Sequence, residues 1–234
     1  MPQTTPILLM TRPEAASRRF VAKLTGSFTP LFSPLIGISF SGNLPKMADF
    51  RGLVFTSAHG VEAYVKAGGP VLPAFTVGNA TAMAAANAGF PAQSANGNAD
   101  DLVKWIADQP GIGPLLHVRG TFAQGDVAAR LTSQGITTDE SVLYDQPELP
   151  PSIDAHRALM GDTPVVAPVF SPRTAALLAK NSIKAPLLVA AMSEAVVKPL
   201  VGLHKTELKV AARPESSAMV TLVTELLERA CAKD

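Results

Sequence analysis

Only one cysteine, Cys231, occurs in 234 residues. No internal disulfide framework can therefore hold the chain, a usage that fits a reducing compartment. No apolar run approaches the ~20 residues that span a bilayer. The opening Met1-Pro-Gln-Thr-Thr-Pro6 has neither a basic segment nor a long apolar one, which predicts no secretion signal. These absences together lead us to expect a cytoplasmic protein with no membrane partner. Aromatic residues make up 6% of the chain, the formal net charge is +1 and no lysine or arginine run is present. Neither a basic field nor a stacking surface is available for nucleic acid, and the scarcity of aromatics leads us to expect a monomer. The four histidines (His59, His117, His156 and His204) have neither i,i+4 spacing nor cysteine company, so no metal site is expected. A phosphate loop, a dinucleotide fingerprint and a G-x-S-x-G elbow are all missing, which argues against nucleotide and Ser-His-Asp chemistry.

What is present is an apolar content of 47% with a mean hydropathy of +0.22, enough to build a folded core. It is arranged as one sentence repeated. Leu53-Val-Phe55 stops at Thr56-Ser57, and a helical period follows through Val61, Tyr64 and Val65, with Ser57 placed as the N-cap. Ile7–Met10 runs into Thr11-Arg-Pro-Glu14, which matches a capping box with Pro13 in the first turn. Phe75–Val77 leads to Gly78 and an alanine-rich helix ending at Gly89; Leu115–Val118 leads to Arg119-Gly120 and a helix that stops at Gly135. Val165–Phe170 leads to Ser171-Pro172, Leu187–Val189 to Ser193-Glu194, and Leu208–Val210 to Ala212-Arg-Pro214. Pro168 inside its apolar run predicts a strand that is short or starts at Val169. About seven strand-to-helix turns result. Strands each followed by a helix are expected to lie parallel, with every turn opening on the carboxyl edge where α/β folds place ligands.

Two proline-bearing stretches, Phe28–Phe40 and Ser141–Pro151, break this rhythm and suit sheet edges or linkers. The economical reading is an insertion: one α/β lobe from residues 1–34 plus 152–234, a second from 41–143, and connecting strands at 35–40 and 144–151 forming a two-stranded antiparallel ladder. Two lobes so joined could change their mutual angle, and a cleft between them would be lined by turns of both. One doubly wound sheet is the alternative.

The turns carry hydroxyls, glycines and arginines: Thr11, Arg12, Ser57, Gly78, Thr81, Arg119, Gly120, Ser171, Arg173, Ser193 and Arg213. Each has an ordinary explanation, Ser and Thr as caps, Gly as turn former, Arg as a solvated cation. Taken together, helix N-termini and arginines at one edge suit an anion with several carboxylates. Gly97-Asn-Ala-Asp-Asp101 precedes an apolar-faced helix, with Asn98 as its cap and Trp105 a core residue. Tyr144, on the second connecting stretch, reads equally as strand packing or as a site residue.

The ordered series Thr11-Arg-Pro13, Phe55-Thr-Ser57, Val77–Thr81, Gly97-Asn-Ala99, Leu116-His-Val-Arg-Gly120, Tyr144, Phe170-Ser-Pro172, Ser193-Glu-Ala195 and Ala211-Ala-Arg-Pro214 resembles the uroporphyrinogen-III synthase family over essentially the whole chain. The resemblance implies two α/β lobes joined by a two-stranded ladder. It also implies a cofactor-free lyase that closes hydroxymethylbilane, an octacarboxylate, to uroporphyrinogen III with loss of water and inversion of ring D, and a possible transfer of substrate from hydroxymethylbilane synthase. By the same resemblance Tyr144 assists departure of the hydroxyl. Thr11, Arg12, Ser57, Gly78, Thr81, Asn98, Arg119, Gly120, Ser171, Ser193 and Arg213 bind substrate. His59 and Glu194 depart from the family pattern: an asparagine or a small residue is expected at the first, and a carboxylate is out of place at an anion site at the second. The residues alone leave open a non-catalytic two-lobed module that binds an anionic small molecule. A sugar- or nucleotide-handling enzyme would need the phosphate loop that is missing.

Overall fold

A computed structural model describes residues 5–109, 111–123 and 125–231. Residues 1–4, part of the segment read for a secretion signal, lie outside the described residues. The chain divides into two compact units, Met1–Gly37 with Glu148–Asp234, and Ile38–Pro147.

In the first unit a sheet is formed by β1 (Ile7–Met10), β2 (Thr29–Phe32), β9 (Val165–Val169), β10 (Leu187–Ala191) and β11 (Glu207–Val210). The strand order is β11-β10-β9-β1-β2, with every pairing parallel. Alternate side chains go to opposite faces. Leu9, Val165, Ala167, Leu187 and Val189 pack with α6 (Ile153–Met160) and α7 (Pro172–Ala179). Leu8, Met10, Val166 and Leu188 pack with α1 (Glu14–Val21) and α9 (Ser216–Cys231). Each fully buried Leu or Val contributes roughly 1.5–3 kcal/mol of transfer free energy, so the near-continuous apolar strands are what a sheet covered on both faces requires.

The second unit has the order β3-β8-β7-β4-β5-β6, built from β3 (Ser39–Phe40), β4 (Gly52–Phe55), β5 (Ala74–Thr76), β6 (Ala92–Ser94), β7 (Leu115–Gly120) and β8 (Thr138–Asp145). Only β3 against β8 is antiparallel. The helices α2 (Ala58–Lys66) and α3 (Asn79–Asn87) cover the face bearing Leu53, Phe55, Leu116 and Val118. The opposite face, with Val54, Phe75 and Leu115, lies under α4 (Ala99–Ala107) and α5 (Val127–Ser133). Trp105 packs edge-on against Phe75 at 5.8 Å, a core contact.

The parallel sheets flanked by helices are those the recurring turns predict, and the first proline-bearing stretch, Phe28–Phe40, supplies the edge strands β2 and β3, whereas Ser141–Pro151 opens with the end of β8, an interior strand between β3 and β7. Three readings need correction. Pro168 sits inside a five-residue strand that starts at Val165. Pairing of β9 with β1 stops at Val166, so the missing N–H of Pro168 falls where that ladder has already ended. The capping box at Thr11 does not form: Pro13 is the N-cap of α1 and no side chain caps it, while Thr11 is buried. The strand β6 is additional to the predicted ones, because Ala92-Gln-Ser94 has no apolar run and pairs on one side only.

Candidate functional site

In the first unit, parallel pairing puts the ends of β1, β9, β10 and β11 on one edge. Arg12 leaves β1 and lies over the Phe170 ring at 4.2 Å, and Phe170 meets Phe20 edge-on at 5.1 Å. Around this stack opens a groove of about 570 Å³ whose lining includes Arg12, Arg19 and Lys23, with Phe20, Phe170 and Met192 as apolar walls and Ser216 at the start of α9. Among the described residues no acidic side chain lines it. Among the described residues none of these three cations makes an ion pair. Burial lowers the Arg12 pKa and the neighbouring Arg19 charge adds to it, as expected of guanidiniums crowded together without a counter-ion.

The other named residues of this edge behave differently. Thr11 is 1% exposed, and among the described residues its hydroxyl has no hydrogen-bond partner. Ser171 caps α7, its oxygen accepting the Thr174 N–H at 3.1 Å, and its hydroxyl lies 2.9 Å from that of Thr174. Arg173 follows in the first turn of α7, half-buried. Ser193 is the N-cap of the four-residue helix α8 (Glu194–Val197) without a side-chain cap bond, and Glu194 is exposed. Arg213 is exposed and lines a separate groove that also contains Glu215 and Glu225, so its charge is not part of the acid-free one.

In the second unit the carboxyl edge gathers Thr56 and Ser57 after β4, Gly78 after β5, Asn98 after β6, Gly120 at the end of β7 and Tyr144 near the end of β8. Ser57 caps α2, accepting the His59 N–H at 3.2 Å. Asn98 and Asp101 form the capping box of α4. Gly97 donates its N–H to the Val77 carbonyl at 3.0 Å and Asn79 reaches Asn96 at 2.8 Å, so the turns after β5 and β6 adjoin. Thr81 lies in the first turn of α3, its N–H on the Gly78 carbonyl, and is buried.

Tyr144 is held by shape. It pairs with Gly120 in the β7–β8 ladder, and a Cβ at Gly120 would stand 2.4 Å from Tyr144 Cε2, so only glycine admits the ring there. His59, at 6.1 Å between centroids, flanks Tyr144, and burial lowers the His59 pKa, with Glu62 raising it in part. The departure at His59 is thus an aromatic neighbour of Tyr144. Arg119 is not a free cation. Its Nε donates to Glu140 Oε2 at 2.8 Å and an Nη to the Gly120 carbonyl at 3.0 Å.

Arg19, Lys23 and Phe170 do not stand out in the sequence as site residues; of the three cations only Arg19 lies within α1, with Arg12 before it and Lys23 just after. The pairing of Thr56, His117 and Glu140, described below, leaves no sequence signal at all. Among the described residues no group of acids, histidines and cysteines is placed to hold a metal ion, and no helix is long and apolar enough to cross a membrane.

Comparisons with known proteins bear on the fold and the family. The structure is similar to that of the uroporphyrinogen-III synthetase of Helicobacter pylori, with a TM-score of 0.68 at 13% identity over 95% of this chain and 100% of that one. A mutant uroporphyrinogen III synthase from the extremely thermophilic bacterium Thermus thermophilus gives 0.52 at 14% identity, over 98% and 100% of the two chains. At such identities these matches speak to the fold. No curated protein matches the chain. The sequence profile described as uroporphyrinogen-III synthase HemD matches residues 20–221, and with most of the length so covered, the chain belongs to the uroporphyrinogen-III synthase family.

Proposed function

We propose that this chain is a uroporphyrinogen-III synthase, a cofactor-free lyase that converts hydroxymethylbilane to uroporphyrinogen III with loss of water and inversion of ring D. The observation that carries the reading within this family is the acid-free groove of the first unit. Arg12, Arg19 and Lys23 surround an apolar wall of Phe20, Phe170 and Met192, and a substrate made of apolar rings bearing eight carboxylates needs both features.

Hydroxymethylbilane ionises readily at its hydroxymethyl carbon, and the azafulvene cation so formed closes unaided to the unflipped isomer. The protein must favour attack by the substituted carbon of ring D, which gives a spiro intermediate that fragments and recloses inverted. Holding one conformation of a flexible chain can supply several kcal/mol, and it calls for donors placed at carboxylates more than for strong acids. Ser57 suits such binding, since its oxygen accepts a helix N–H and leaves its own O–H as a donor; the Ser171 hydroxyl, which also accepts a helix N–H, shares its hydrogen bonding with Thr174. The turns at Gly78 and Ser193 add helix N-terminal amides, whereas the N–H groups of Thr81 and Asn98 are bonded within their own turns. Tyr144 donates its phenolic O–H to the departing hydroxyl, with its ring fixed by Gly120. The enzyme acts as a cytoplasmic monomer, without nucleic acid, and can receive its substrate from hydroxymethylbilane synthase.

The test is to supply freshly made hydroxymethylbilane, oxidise the product and separate the type I and type III porphyrins. A large excess of type III over the spontaneous type I is expected. Binding without any type III would favour the rival reading, a module that holds an anionic small molecule without catalysis.

A further inference from the structure

A buried imidazole lies behind the carboxyl edge of the second sheet, and the mechanism above leaves it unused. His117 is 1% exposed in the middle of β7. Its Nε2 is 3.5 Å from Thr56 Oγ1, and its Nδ1 is 3.5 Å from Glu140 Oε1 on β8. That second contact is an ion-pair separation without hydrogen-bond geometry, and among the described residues Nδ1 has no hydrogen-bond partner. The other Glu140 oxygen accepts Arg119 Nε at 2.8 Å. The carboxylate is thereby held in place beside the ring by a charge-assisted hydrogen bond.

Chemistry then fixes the tautomer. A ring nitrogen facing a carboxylate carries the proton, because two lone pairs repel, so Nδ1 is the N–H and Nε2 is bare. Among the described residues, the group beside Nε2 that can satisfy it is the Thr56 hydroxyl, which must donate. Its oxygen keeps only lone pairs for anything beyond the turn. Thr56 is thus the opposite of its neighbour Ser57, whose oxygen is spent on the His59 N–H and whose hydrogen is left over.

We propose that His117 is a positioning residue that makes the Thr56 oxygen an acceptor, so that the β4–α2 turn reads a pyrrole N–H of the substrate and not one of its carboxylates. The inference rests on the function proposed above, since it is that substrate which offers both N–H donors and carboxylate acceptors. The charged groups bearing on the ring are Glu140 from β8 and Arg119 from its own strand. From β4 it meets Val54 and Thr56. The helices over that face present Leu102, Ile106, Val127 and Leu131, and their Asp100–Arg130 pair is turned outward. Burial in this apolar setting lowers the His117 pKa against the opposing pull of Glu140, which keeps the ring neutral and the tautomer single near pH 7. Protonation at Nε2 would reverse the Thr56 hydroxyl and spoil the N–H site.

Two measurements test this. Imidazole ¹⁵N spectra of the folded protein, with the signal assigned through His117→Gln, should show Nδ1 protonated and Nε2 bare at pH 7.5. An Nε2–H tautomer would overturn the proposal whatever the substrate. In steady-state assays with hydroxymethylbilane, Thr56→Ser should keep the wild-type KM, whereas Thr56→Val should raise it about tenfold with kcat little changed. The wild-type KM should rise as pH falls through the His117 titration, and this dependence should vanish in Thr56→Val. A role confined to stability would leave the pH profile of KM intact, and that result, or a Thr56→Val KM within about twofold of wild type, would sink the idea. A wild-type protein that forms no type III porphyrin would remove the proposed function and the pyrrole reading with it, while the spectra would still decide the polarity of Thr56.

Discussion

The two sheets present the same edge built from different chemistry. In the first unit the cations Arg12, Arg19 and Lys23 line a groove without an acid. In the second, the corresponding cation is already spent: Arg119 is bonded to Glu140, Glu140 faces His117, and the remaining groups are a phenol and hydroxyls of fixed direction. The first edge supplies charge and the second supplies orientation. Under the proposed function the substrate has eight acids to neutralise and a reacting ring to hold in one pose, and each edge taken by itself suits one of these needs. It also explains why a search for acid–base pairs in the sequence finds so little.

The largest effect should come from disturbing orientation. In Gly120→Ala the new Cβ falls 2.4 Å from Tyr144 Cε2 and 2.7 Å from Cζ, so the ring or the strand must move. Overpacking of this kind destabilises by about 1–3 kcal/mol, and displacing a catalytic group by an ångström can lower turnover roughly a hundredfold. Thermal unfolding together with the isomer assay should show both losses in the variant. Wild-type turnover in Gly120→Ala would mean that the seating of Tyr144 does not matter.

Removing charge from the first edge should act on binding instead. Arg12→Ala and Arg19→Ala should each raise KM by about tenfold, the value of a charge-assisted hydrogen bond, with much smaller changes in kcat. Arg119→Ala sharpens the contrast. It strands Glu140 beside buried His117, so it should lower the melting temperature more than Arg12→Ala does while changing KM less. If the two arginines behaved alike, the division between the edges would be lost.

Much of this is legible in the sequence because local rules govern it. The caps at Ser57, Ser171 and Asn98 are set by residues within three positions, and the apolar runs that become β1, β4, β7, β9 and β10 are long enough to announce themselves. The parts that escape depend on the tertiary fold. Thr56 and His117 are 61 residues apart and meet only because β4 pairs with β7. Arg119 looks like a substrate cation until β8 brings Glu140 alongside it. Thr11 has the spacing of a capping box, yet the chain turns too late and leaves its hydroxyl in the core. Pro168 looks like a strand breaker because its tolerance depends on which neighbour stops pairing at Val166.

Tyr144→Phe should have a smaller effect than moving the ring. Under the proposed function the leaving hydroxyl departs readily once the substrate is posed, so loss of the phenolic O–H should reduce turnover only about tenfold, where a true general acid contributes roughly 10²–10⁴. Single-turnover rates in a variant that keeps its wild-type melting temperature are the measure. A loss beyond roughly a thousandfold would assign Tyr144 the work of an acid and reduce the share left to positioning.

The mildest prediction concerns pH. His117 and His59, both in the second unit, have pKa values lowered by burial. A histidine whose folded pKa lies below its unfolded value of about 6.5 leaves the unfolded chain holding more protons in that interval. Stability contributed by the neutral ring is therefore complete above about pH 6.5 and falls as pH drops through the folded value. Trp105, the single tryptophan, packs on Phe75 within this unit, so its fluorescence in urea titrations follows the second unit alone. The midpoint should fall between pH 7.5 and 5.5, and His117→Gln, less stable at pH 7.5, should lose part of that slope. An unchanged slope would mean that His117 titrates alike in both states, and the apolar setting of the ring would then have no energetic consequence.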